Sequence, residues 1–192
     1  MNESHTLTKL LERFQDQILY HSFLLGQEAV TLRKEGLVPI CRFLREDPQL
    51  QYDRLSDITA VDYLQMNPSP LTLSPLGRGE GEGKLRFEVV YHLHSVPQGY
   101  WVRLKVPLSE EDLTIDSLVP LWKGANWLER EVWDMFGVKF IGHPNLRRIL
   151  MYPEFEGHPL RKDYPVDKRQ PLIPLRRPEN FVPLERVARP KR

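Results

Sequence analysis

The stretch LEREVWDMFGVKFIGHPNLRRILMYPEFEGHPLRKDYP, residues 128 to 165, decides how the rest of the chain is read. It begins as a helix, because Leu128, Val132, Met135 and Phe136 recur at i, i+4, i+7 and i+8 and make one apolar stripe. Asn126 is placed to serve as N-cap, with Glu129 three residues on as the returning half of a capping box. Glu129, Arg130, Glu131 and Asp134 take the remaining faces. Arg130 and Asp134 are four apart, a spacing that pairs side chains along a helix. Gly137 stops the helix where a left-handed residue is wanted. Beyond it the chain has no clear period and reads as an extended path punctuated by prolines.

Upstream, Leu7, Leu10, Leu11, Phe14 and Ile18 recur at helical spacing and predict an opening amphipathic helix over 6 to 19. A second helix is expected from about Val38 to Asp47, with Ile40, Cys41 and Leu44 facing inward and Pro48 ending it. Leu85, Phe87, Val89, Tyr91 and Leu93 alternate with mostly polar residues, and Tyr100, Val102, Leu104 and Val106 do the same after a Pro97-Gln98-Gly99 turn. Pairing Leu93 with Tyr100 makes an antiparallel hairpin with one buried face and sets Glu88 opposite Lys105. Residues 57 to 64 add a third strand. The fold class is therefore α+β, a small, mostly antiparallel sheet with helices on one face, followed by a long extended C-terminal strap.

Residues 1–142 are expected to form the α+β domain, interrupted by a mobile insertion at 67–84 in which prolines give way to alternating glycines. Residues 143–192 are expected to form an extended, basic, proline-rich tail that binds a partner. Pro171, Pro174, Pro178, Pro183 and Pro190 forbid helix or strand there, while Leu172, Ile173, Leu175, Phe181, Val182 and Leu184 remain as apolar anchors.

The 192 residues, 41% of them apolar, suffice for one core, and a formal net charge of +1 argues against a dedicated nucleic-acid binder. The charge is uneven: His143 to Arg192 holds twelve Lys/Arg and six Asp/Glu, as expected of a basic arm that meets an acidic or polar surface. Cys41 is the only cysteine, which excludes a disulfide framework and any thiolate zinc or Fe–S site held by this chain alone. No export signal and no spanning apolar run of ~18 residues is present, so partners must hold the protein at any membrane.

Glu129, Glu131, Asp134, His143 and His158 invite an acid–base reading. The many basic residues nearby lower carboxylate pKa values instead of raising one, and charge-paired structure is the stronger reading. His92 and His94 share one side of a strand and lack an obvious third metal ligand. No phosphate-cradling glycine loop and no nucleophile–base signature occurs. The pairs Arg147-Arg148 and Arg161-Lys162 suit carboxylates of a neighbouring subunit better than RNA or lipid phosphates.

The block at 128–165 closely resembles the signature of the thirty-kilodalton subunit (the bacterial C subunit) of proton-translocating NADH–quinone oxidoreductase, respiratory complex I. Glu129, Arg130, Glu131, Asp134, Met135 and Phe136 meet its acidic–basic helix pattern, and His143, Arg147, Ile149 and Leu150 meet its following pattern. GHPLRKDYP (157 to 165) is similar to the family's closing block, and DITAVDYL (57 to 64) and RFEVVYHL (86 to 93) to its strand region. The resemblance implies a non-catalytic structural subunit of the peripheral arm, on the cytoplasmic side of the inner membrane, supporting electron transfer from NADH to quinone. It implies no cofactor on this chain, with FMN and Fe–S clusters on partner subunits. The partners implied are other peripheral-arm subunits, chiefly the large quinone-pocket subunit and the cluster-bearing subunit beside it. On this reading Glu129, Arg130, Glu131, Asp134, His143, Arg147, Arg148, His158, Arg161, Lys162, Asp163 and Tyr164 serve structure and interfaces, with none catalytic. The alternatives are the equivalent subunit of a membrane-bound hydrogenase or of a complex fed by another donor, and a free-standing binding module with a basic arm.

Overall fold

The alternation in residues 85 to 109 produces the centre of the sheet. In β5 (Tyr100–Ser109), Val102, Leu104, Val106 and Leu108 are buried, while Trp101, Arg103, Lys105 and Pro107 between them stay partly solvated. β4 (Leu85–Ser95) pairs antiparallel with β5, placing Phe87, Val89, Tyr91 and Leu93 on the same inner face. The structure, a computed structural model, describes residues 5–24, 26–64 and 85–170. The insertion expected at 67–84 falls outside these residues, as does the strap beyond 170.

The remaining elements are α1 (His5–Phe14), β1 (Ile18–Leu24), β2 (Gln27–Leu32), α2 (Leu37–Glu46), β3 (Arg54–Asp62), β6 (Thr114–Asp116), α3 (Ala125–Phe136) and β7 (Lys139–Ile141). Five strands form one sheet in the order β1-β2-β5-β4-β3, and β6 and β7 form a small parallel pair. Only the β2–β5 pairing in the large sheet is parallel. Its register covers Val102 to Lys105 of β5, so Pro107 lies past the stretch that pairs with β2.

The three helices lie on one face, as expected. Leu10 of α1, Leu37, Ile40 and Leu44 of α2, and Val132 of α3 join the inner face of the sheet in one hydrophobic core. Cys41 is fully buried in that core, and desolvation pushes its thiol pKa up, which makes it an inert packing residue. Lys9 of α1 donates to both carboxylate oxygens of Asp47 at 2.8 Å, fastening α1 to the end of α2.

Three expectations need correction. The opening helix stops at Phe14, and Ile18 starts β1, a strand rich in β-branched and aromatic residues that pairs with β2 across Gly26 at φ +78°. This hairpin was not expected at all, because helical spacing ran through Ile18. The β4–β5 hairpin is shifted by two residues: Leu93 faces Val102, and Ser95 faces Tyr100 across the turn. A shift of two keeps every side chain on its own face. Glu88 therefore sits opposite Pro107 but still receives Lys105 Nζ at 2.9 Å on the diagonal. Finally, α3 starts at Ala125 after Gly124, with no side-chain cap, so Asn126 lies inside the helix.

Candidate partner-docking site

α3 carries the polar groups of the signature block, and each is positioned by its angle around the helix. Val132, Met135 and Phe136 face the core, with Leu128 half-buried. Glu129 points the same way and is fully buried, which removes it from capping and from any partner. Its carboxyl accepts from Ser117 Oγ and from the Leu118 amide, both at 2.7 Å, strapping the end of β6 to the helix. Desolvation raises its pKa to about 7, against the pull of those two hydrogen bonds.

Asp134 is fully buried on the other side of α3. One oxygen accepts the amides of Ile149, Leu150 and Met151 at 3.0, 2.9 and 2.9 Å, and the other receives Arg148 Nη1 at 2.5 Å. Burial alone would raise its pKa, yet these donors outweigh burial and hold it below the usual carboxylate range. The pairing of Arg130 with Asp134 along the helix does not form. Arg130 instead donates to the carbonyls of Arg147 and Arg148, both at 3.1 Å. The two residues therefore grip the 147–151 segment from one side of α3, as their charge suggests, but through different atoms.

Arg148 completes the grip. Its Nη2 donates to the carbonyls of Phe155 and Gly157 at 2.8 and 2.9 Å, and its guanidinium lies over the rings of Trp133 and Phe155. His143 Nε2 is 3.1 Å from the Asn126 carbonyl, and its Nδ1 accepts the Asn145 amide, so the geometry assigns Nε2 as donor.

The closing block caps the helix. α3 ends with four carbonyls that have no partner inside it. Gly137 N–H takes that of Trp133 at 2.8 Å, His158 Nδ1 that of Asp134 at 3.0 Å, Leu160 N–H that of Met135 at 3.1 Å, and Arg161 Nε that of Phe136 at 2.6 Å. A cation beside the negative end of the helix dipole adds to the cap. Burial lowers the pKa of His158 and of Arg161, with Arg148 as a further cation beside the histidine. Gly137 sits at φ +83°, as the stop signal required, and a Cβ there would meet Arg161 and, at 2.7 Å, His158.

The next residues reach the sheet. Lys162 N–H donates to Asp62 Oδ2 at 2.9 Å, and Asp163 pairs with Arg86 at 2.8 Å. Arg86 is 3% exposed and also holds Asp62 through two bonds and Glu110 through a third. Asp62 and Arg86 were missed in the sequence because the groups they bind are distant in the chain: the two are 24 residues apart, and Asp163 lies far beyond both. Tyr164 stacks on Phe155. Of the basic pairs, Arg148 and Arg161 turn inward, while Arg147, Lys162 and Glu131 of the predicted set remain exposed. Among the described residues, no group of three His, Cys, Asp or Glu could hold a metal ion.

In this arrangement Asp134 and Arg130 of α3 together grip a basic return segment, one through its donors and the other through its carbonyls. Residues 30–170 match the family model described as respiratory-chain NADH dehydrogenase, 30 Kd subunit. The chain belongs to that family. The C subunit of NADH-quinone oxidoreductase from Citrifermentans bemidjiense is 44% identical over 163 residues, which covers 85% of this chain and 89% of that one. Its counterpart of the same name from Geobacter sulfurreducens is 44% identical over 163 residues, covering 85% and 90%. Among solved structures, the trypsin-resistant fragment of Nqo5 superposes with a TM-score of 0.55 at 30% identity, covering 73% of this chain and 99% of the fragment. A chain from the membrane-bound sulfane sulfur reductase, an archaeal respiratory membrane complex, shares the fold at TM-score 0.60 and 24% identity, covering 83% and 84%. Among the described residues of this 30 Kd-family chain, no helix is long and apolar enough to cross a membrane.

Proposed function

We propose that this chain is a non-catalytic structural subunit of an NADH–quinone oxidoreductase, supporting electron transfer to quinone by holding a neighbouring subunit in place. One observation carries the reading: Asp134, Arg130 and Arg148, charged groups of the signature block, are consumed in fastening the 147–157 segment to α3. Asp134 is held as a carboxylate by four donors, the reverse of the raised pKa that a general acid needs. Glu129 does have a raised pKa, but it is sealed from solvent by the core.

The finer placement is proposed in line with the family resemblance. The chain packs against the large quinone-pocket subunit on the cytoplasmic side of the membrane, with FMN and Fe–S clusters carried by partner chains. A scaffold is essential in such a machine, because electron transfer and quinone chemistry depend on distances held to about an ångström. Deleting the gene should abolish membrane NADH–quinone reductase activity and leave the large neighbour unassembled, with both restored by the wild-type chain. Full activity with an intact complex in the deletion strain, or tight binding of flavin or NADH by the purified chain, would overturn the proposal.

A further inference from the structure

Trp127 is 68% exposed, the most exposed aromatic side chain among the described residues. It stands on the outward side of α3, seven residues before Asp134 and so about two turns away along the same side. Three cations are linked to it, two through nearness in the chain and one through Arg130. Lys123 lies four residues before it and is exposed, Arg130 lies three residues after it, and exposed Arg147 is bound to Arg130 through its carbonyl at 3.1 Å. Among the described residues, no ion pair includes any of these three. Arg130 is half-buried, with two of its nitrogens spent on neutral carbonyls. Asp134 is balanced by Arg148, so the exposed Glu131, one turn after Trp127, leaves the three cations with an excess of two positive charges. Leu150 is a further exposed apolar side chain, on the segment Asp134 fastens: its amide is pinned to Asp134, and its side chain is 56% exposed.

We propose that Trp127, together with the cations Lys123, Arg130 and Arg147, is the anchor by which this chain seats on a neighbouring subunit, and that the neighbour presents an apolar pocket rimmed with carboxylates. The inference rests on the reading of the chain as a complex subunit and names the surface that does the docking. Charge complementarity selects the occupant. Guanidinium and ammonium groups that belong to no ion pair, beside an aromatic plug, match carboxylates around a hydrophobic cavity, and desolvation on docking strengthens each pair. The anchor is also pre-organised. Glu129 fixes α3 from beneath and Asp134 fixes the segment that carries Arg147, so little side-chain and backbone freedom is lost when the partner arrives.

The test uses the intact complex, purified from strains that carry single variants of this chain, with each subunit identified by mass. Trp127→Ala and Arg147→Glu should each weaken retention of the chain at least about thirtyfold, the loss typical of a central anchor. Trp127→Phe should retain part of the binding. The deficit of Arg147→Glu should shrink as salt rises, because it is a charge effect. Phe23→Ser, at a 63% exposed site on β1, should leave retention unchanged. Melting of each full-length variant in isolation should match wild type, which separates docking from folding. If Trp127→Ala and Arg147→Glu stay in the complex as wild type does, the anchor is refuted while the subunit reading stands. If the wild-type chain itself is not recovered with the other subunits, both fall.

Discussion

Asp134→Ala should be among the most damaging single substitutions in this chain. It removes the acceptor for three backbone amides and for Arg148, in a residue with no solvent exposure. Removing one partner of a buried ion pair costs ~3–5 kcal/mol, and each buried donor left unmet costs ~1–3 kcal/mol. The terms do not simply add, because Leu150 is exposed and its segment can lift into water once released. A net cost of ~3–5 kcal/mol lowers the melting temperature of a chain this size by roughly 6–20 °C. Calorimetry on the full chain measures it directly, with Glu131→Ala as the exposed control. The pH profile adds a second signature. The pKa of Asp134 is depressed in the folded state, so its contribution is present above the ordinary carboxylate value of 3.8 and is lost as pH falls through the folded value. The variant should lose that part of the acid limb. A melting temperature within a degree or two of wild type would refute the assignment of Asp134 as the fastener of the 147–151 segment.

Glu129 has the opposite sign. Its folded pKa of about 7 lies above the ordinary 4.5, so the folded state holds the proton more tightly and stability declines as pH rises from 4.5 towards 7. Glu129→Gln should flatten that decline, on the order of 2–4 kcal/mol across the window, as read from chemical denaturation at several pH values. An unchanged slope would show that the carboxyl is not the titrating group. Gly137→Ala should destabilise by roughly 2–4 kcal/mol, since it combines a left-handed backbone with a Cβ driven into His158 and Arg161. Loss of helical signal at a lower temperature would record it, whereas wild-type melting would mean that the cap can shift freely.

Local periodicity made much of this fold legible. The α2 helix, the β4 and β5 alternation, the α3 stripe and its glycine stop are all short-range patterns of 2 or 3.6 residues, and these elements stand where that spacing put them. Where two periods overlap, the reading failed. Ile18 fits both a helix face and the start of a strand, and the β1–β2 hairpin was lost to that ambiguity. In the candidate site, spacing pointed to an Arg130–Asp134 pair along the helix and charge pointed Arg148 at a neighbouring subunit, whereas Asp134 binds Arg148 and Arg130 binds backbone carbonyls. Glu129 was misread because a capping box and a buried strap look identical until Ser117 and Leu118 are brought beneath the helix. Asp62 and Arg86 left no trace, since neither strand shows what the residues near 163 will bring to it. Long-range closure has no spacing in the chain.

That closure has a consequence for biosynthesis. The amide of Lys162 meets a carboxylate 100 positions earlier, and Asp163 completes the set of acidic groups around Arg86. A ribosome adding about 5–20 residues per second needs several seconds to cover that interval. During it the sheet can pair, but the end carbonyls of α3 wait in water for His158, Leu160 and Arg161. Asp134 likewise has no amides to bind until residues 149 to 151 are made. A nascent chain interrupted before residue 149 would keep its core yet leave three end carbonyls of α3 unmet and the segment bearing Arg147 without its Asp134 fastening. The outer side of α3 is thus finished last, so recognition by a neighbour at that surface would sort completed chains from interrupted ones.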